Sequence, residues 1–145
     1  MKAVVQRVKE TSLTVDGNLI SSIEFGLTVF LGIKQGDCEQ QAERLAYKIA
    51  NLRIFEDDNG KMNLSVKDVG GEVLLVSQFT LYGDCSHGNR PSFSTAEEPE
   101  RANQLYEYCA KKIRENGLSV KQGVFGADMK ISQYNDGPVT IIIEI

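Results

Sequence analysis

Ser77, Gln78 and Thr80 interrupt an otherwise apolar run, Val73-Leu74-Leu75-Val76 on one side and Phe79 and Leu81 among them. Each can donate and accept hydrogen bonds, and each needs partners if it is buried. Two readings are open. Ser and Thr can bond neighbouring backbone while Gln faces water, or the run ends by presenting polar groups to a ligand. A second polar stretch, Asn135-Asp136-Gly137-Pro138-Val139-Thr140, separates the apolar-rich segments Met129–Tyr134 and Val139–Ile145. Asn, Asp, Gly and Pro are turn residues, through local hydrogen bonds, free φ or fixed φ. A hairpin connection or a rigid, site-forming tip would both use them. Other catalytic devices are poorly served. His87 is the only histidine, in a Gly83–Pro91 loop with Arg90, and there is no G-x-S-x-G elbow for a Ser-His-Asp triad. Cys38, Cys85 and Cys109 are scattered, with no C-x-x-C and no H-E-x-x-H to suggest a metal. Neither Gly70-Gly71 nor Gly123-Val124-Phe125-Gly126 has phosphate-loop spacing. In the acidic run 56–60, an EF-hand register ending at Gly60 would put Phe55 first and Val66 last, so the run is a solvated turn. Chemistry here would rest on positioning and backbone donors rather than on a strong side-chain base.

The elements that must position these residues are readable from periodicity. Residues 1–33 are β structure. Val4, Gln6 and Val8 oppose Val5, Arg7 and Lys9 in the first strand, Asp16-Gly17 makes a hairpin, and Leu27–Ile33 is a central strand, together a β meander. A first helix follows Asp37, with Gln40 completing a capping box and Ala42, Leu45, Ala46, Ile49 and Leu52 as its buried stripe. Residues 72–82 read as one strand with an apolar start and a polar end. A second helix starts at Glu98-Pro99, buries Ala102, Leu105, Cys109 and Ile113, and stops at Asn116-Gly117. Ser119–Phe125 is a further strand, and Gly126-Ala127-Asp128 bends the chain into the last two.

A chain of 145 residues with 41% hydrophobic and 25% charged residues fits one soluble globular domain, residues 1–145, of α/β class. Three dispersed cysteines suit a reducing cytosol, and no apolar run is long enough to span a membrane. The net charge of −4 argues against unspecific nucleic-acid binding through a global field, while leaving room for a local, shape-guided contact with RNA.

Four segments in this order, Ser77-Gln78-Phe79-Thr80-Leu81, Arg90-Pro91-Ser92-Phe93, Gly123–Met129 and Asn135–Thr140, resemble the D-aminoacyl-tRNA deacylases, also called D-tyrosyl-tRNA deacylases. The similarity runs from Met1 through the final strand. The resemblance implies a compact three-layer α/β/β fold with mixed sheets and two main helices, working as a cytoplasmic homodimer with active sites at the interface. It implies hydrolysis of the ester of D-aminoacyl-tRNA, and of glycine mischarged on tRNA for alanine, with no cofactor and no metal. Ser77, Gln78, Phe79 and Thr80 would line the reacting ester, and Phe125 and Met129 the adenosine pocket. Gly137 and Pro138 of one subunit, joined by a cis bond, would enter the other's pocket and exclude L side chains. A wall that clashes with one enantiomer discriminates where attraction alone does poorly. A Thr80 nucleophile would need an activating base, and none is evident. Backbone N–H groups near Phe79 and Thr80, with the tRNA 2′-hydroxyl helping to activate water, are the expected alternative. The alternative function is a non-catalytic nucleic-acid-binding relative on the same scaffold. The loop Asp84–Arg90 is less basic than is common in that family, which leaves Lys111, Lys112 and Arg114 as candidate phosphate contacts.

Overall fold

The computed structural model describes every residue, Met1–Ile145. A mixed sheet of β1 (Lys2–Val15), β2 (Asn18–Ile23), β3 (Gly26–Gly32), β6 (Glu72–Ser77), β7 (Val120–Gln122) and β8 (Met129–Glu144) forms the centre. A small β4 (Phe55–Glu56) and β5 (Met62–Leu64) pair stands apart. Helices α1 (Glu39–Asn51) and α2 (Pro99–Glu115) pack on one face. β3 and β6 run parallel, as do β6 and β7, while β1 is antiparallel to β2, β3 and β8.

The layers follow from the period-2 alternation of β side chains. Leu27, Val29 and Leu31 of β3 and Val73 and Leu75 of β6 point toward the helices, where they join Leu45, Ile49, Leu105 and Ile113. Leu74 and Val76 point the other way, against Val8, Leu13 and Ile23, with Phe30, Met129 and Ile131 packed alongside. β1 contributes Ala3 and Val5 to the helix-side core but Val8 and Leu13 to the second one. It therefore bends across the molecule and closes the second β layer, which gives the three-layer α/β/β arrangement.

The expected meander is not what forms. β3 returns to pair with the first half of β1, Lys2–Val8, rather than with β2. The apolar residues of Leu27–Ile33 bury best in the middle of the sheet, between β1 and β6. The α1 cap lies one residue later than expected: Cys38 is the N-cap, and its N–H donates to Gln41 Oε1 at 3.0 Å. Asp37 is otherwise engaged. It accepts the Lys34 N–H and the Met1 ammonium, both at 2.8 Å. α2 starts and stops as expected, with Pro99 in the first turn and Gly117 at φ +89° after its end. Burial pushes the Cys109 thiol up to about 12, so it serves as an inert core group.

β6 ends at Ser77, and Phe79–Tyr82 form a 3₁₀ turn instead of continuing the strand. Gly32 makes that turn possible. A Cβ there would stand 3.1 Å from the Gln78 carbonyl oxygen and from Leu81 Cβ. Overpacking of this kind costs about 1–3 kcal/mol. Gly32→Ala is expected to lower the Tm by about 3–10 °C in a thermal melt. An unchanged Tm would mean that the turn is not seated on β3.

Likewise, Ser119–Phe125 supplies only three strand residues, Val120–Gln122. Its pairing with β6 ends at Leu75 and Gln122, although β6 itself runs on to Ser77.

Candidate active site

The stretch 135–138 is not a hairpin turn. β8 runs past it as one strand, and both halves pair with β1. Gln6 lies opposite Thr140 and Val8 opposite Asn135, so the single residue Arg7 faces the four residues Asp136–Val139. The excess is a bulge loop, as a strand with more residues than its partner requires. Gly137 sits at φ +127°, open to glycine and strained for other residues, and the Gly137–Pro138 bond is cis. Both residues are exposed. The hairpin expectation does not describe this geometry.

Arg7 holds the loop from inside. It is 6% exposed, because it shares the inward phase of β1 with Ala3 and Val5. Its Nε donates to the Asp136 carbonyl at 3.2 Å and lies 3.1 Å from Asp136 Oδ2. Nη1 donates to the Ile54 carbonyl at 2.7 Å, and the guanidinium lies over the Phe55 ring. Lys9 also reaches Asp136, at 3.5 Å. The sequence reading placed Arg7 on an ordinary alternating strand and missed this role. The signal was available: an arginine at the third inward position after alanine and valine, paired by no neighbour in the sequence.

A cleft of about 490 Å³ opens at the carboxyl ends of β3 and β6. That end of neighbouring parallel strands is where open α/β sheets place ligands. Ser77, Gln78, Phe79, Phe125 and Met129 all line it, so five of the residues singled out from sequence come together. Leu31, Ile33, Glu97, Pro99 and Ala102 are among the other lining residues, and no site role was expected of them. Volume and apolar lining suit a small organic group carrying a few polar handles.

Thr80 does not line the cleft; its hydroxyl accepts from Gln78 Nε2. In the 3₁₀ turn the first bond is Leu81 N–H to the Gln78 carbonyl, at 3.3 Å. The N–H groups of Phe79 and Thr80 precede it and have no partner within the turn, as at any helix start. Phe79 is exposed and braced edge-on against Phe93 at 5.1 Å between ring centres. Gly137 and Pro138 do not line this cleft in their own chain.

The remaining charged groups divide plainly. His87 is exposed and away from the cleft lining. Lys112 is tied to Glu43 and Glu115 at 3.4 and 3.0 Å, and Lys111 to Glu115 at 3.8 Å. Arg114 donates to the Val120 carbonyl and to Gln122 Oε1. Lys112 and Arg114 thus have intramolecular partners, whereas Lys111 is 68% exposed and makes only a loose surface pair. The hydrogen bond from Tyr108, followed by Lys112, holds the Glu43 carboxyl below its ordinary value.

Comparison with known proteins places this geometry. A family model described as D-Tyr-tRNA(Tyr) deacylase matches residues 4–144. Proteins named D-aminoacyl-tRNA deacylase from Geotalea daltonii and Bacillus cytotoxicus are 60% and 56% identical over 144 residues. Those matches cover 99% of this chain and 96% and 99% of the relatives. A solved structure titled c-Myc DNA Unwinding Element Binding Protein superposes with a TM-score of 0.92 at 45% identity, covering 100% of this chain and 99% of that one. A probable eukaryotic D-amino acid tRNA deacylase, 15% identical, shares the fold with a TM-score of 0.83 over 99% of this chain and 98% of its own. With its sequence matched almost end to end, this chain belongs to the D-Tyr-tRNA(Tyr) deacylase family.

Proposed function

We propose that this protein, as one domain over residues 1–145, hydrolyses the ester joining a D-amino acid to tRNA, releasing free amino acid and tRNA in the cytoplasm. Glycine mischarged on tRNA for alanine is a second substrate, since it has no side chain to collide with a wall. The observation that carries this reading is the cleft that gathers Ser77, Gln78, Phe79, Phe125 and Met129, while Gly137-Pro138 stands outside it.

Phe125 and Met129 flank the terminal adenosine, and the ester carbonyl lies against the start of the 3₁₀ turn. The N–H groups of Phe79 and Thr80 donate to the oxyanion as it forms, each worth about 2.7–4 kcal/mol in such a role. The substrate's 2′-hydroxyl assists the attacking water. Gly137 and Pro138 enter the cleft of a second copy, and the active unit is a homodimer. The loop's exposure supports this, as does the free edge of β8, which carries exposed Tyr134 and Ile142.

On this mechanism the Thr80 hydroxyl orients Gln78 and does not attack the ester. Thr80→Ala is expected to keep kcat/KM within about tenfold of the parent, the scale of one lost hydrogen bond. Activity at background, with folding and tRNA binding intact, would give the hydroxyl a chemical role and sink the backbone mechanism.

The DNA-binding title of the 45% identical structure favours a second reading, a nucleic-acid-binding module without catalysis. Incubation with D-tyrosyl-tRNA separates the two. Release of free tyrosine supports the hydrolase, whereas bound but intact ester supports the module.

A further inference from the structure

The bulge loop is held on two faces, and Arg7 reaches only one. On the other, Gln133 Nε2 donates to Gln6 Oε1 and to Asn135 Oδ1, both at 2.7 Å. Gln6 Nε2 in turn donates to Thr140 Oγ1 at 3.2 Å. Asn135 is the last residue before the loop and Thr140 the first residue after Val139, so this chain of bonds joins the loop's two ends.

We propose that Gln6 and Gln133 are positioning residues for Gly137-Pro138, fixing the base of the loop through one continuous carboxamide chain. This rests on the reading above, in which Gly137-Pro138 selects chirality. The bond directions are consistent along the whole chain: Gln133 uses both amide hydrogens, and Gln6 accepts one and passes its own to Thr140. The links stand in series, so the loss of either glutamine disconnects Asn135 from Thr140.

The cost of Gln133 argues the same way. Its Oε1 is buried without a hydrogen-bond donor. A buried acceptor left unpaired weakens a fold, and an apolar side chain of the same length would avoid that penalty. A glutamine here is poorly chosen for stability but well chosen for holding Asn135 and Gln6 in register. The outer residues of the loop segment, Asn135 and Thr140, thereby gain a reason for their types.

The test compares the full-length protein with Gln6→Met, Gln133→Met and the double variant, by initial rates on D- and L-tyrosyl-tRNA and by thermal melts. Each single variant is expected to raise the ratio of L- to D-ester cleavage about tenfold, and the double variant by about the same factor, as residues in series are not additive. The Tm of Gln133→Met should stay within about 3 °C of the parent. An unchanged ratio in both single variants overturns the inference while the parent's own discrimination stands. Ratios that multiply in the double variant overturn the serial chain, and a large fall in Tm with an unchanged ratio assigns the glutamines to the fold alone. A parent enzyme that cleaves both esters alike removes the chiral reading and this inference with it.

Discussion

Arg7→Met is expected to destabilise the protein by about 3 kcal/mol and to lose enantiomer discrimination at the same time. The methionine keeps an apolar stem for Phe55 but removes every donor. Three interactions go at once: those to the Asp136 carbonyl, the Asp136 carboxylate and the Ile54 carbonyl. Breaking one side of a buried pair costs about 3–5 kcal/mol. Here the low end applies, because the Asp136 side chain is 27% exposed and gains water when released. The corresponding fall in Tm is about 6–12 °C. Arg7→Lys keeps the charge without the planar fork and should fall between the two. Melts and D- against L-ester rates measure both consequences. A stable variant with normal discrimination would show that the loop holds itself without the guanidinium.

Pro138→Ala acts on the wall directly and touches little else. Pro138 is exposed, so its replacement removes no core contact. The ring fixes φ and stiffens the loop tip, and alanine returns that freedom. The loop base remains tied through Arg7. L-tyrosyl-tRNA cleavage is expected to rise about 10- to 100-fold, the range over which a modest change in pocket shape alters selectivity. D-ester cleavage should change far less, because a D side chain does not meet the wall. Unchanged selectivity would contradict steric exclusion by this residue.

Much of this site was legible before any coordinates. Ser77, Gln78 and Thr80 stood out as polar residues in an apolar setting, and Asn135–Thr140 as a turn-type cluster inside strand material. Both helices could be placed by Ala42, Leu45, Ala46 and Ile49 or Ala102, Leu105, Cys109 and Ile113, since 3.6-residue periodicity is local, although the α1 cap fell one residue later than expected. What could not be read was non-local. Nothing near Arg7 in the chain says that it meets Asp136, and nothing near 135–138 says that β8 continues past it along β1. Bulge and hairpin share the same turn residues; only the register of a strand far away in sequence decides between them. The 3₁₀ turn after Ser77 was missed for a similar reason. Phe79, Thr80, Leu81 and Tyr82 favour strands by propensity, but Gly32 on β3 lets the chain curl over it. The α2 cations offered as candidate phosphate contacts show the same non-local limit: nothing in the nearby sequence says that Lys112 meets Glu43 of α1.

The most direct test of the central claim is hydrolysis of matched D- and L-tyrosyl-tRNA by the purified protein, with a chelator present. Rapid loss of the D-ester with the L-ester intact is the expected result, and it would establish a chirality filter that needs no removable metal. Equal cleavage of both esters would contradict the claim and reduce Gly137-Pro138 to a structural bulge.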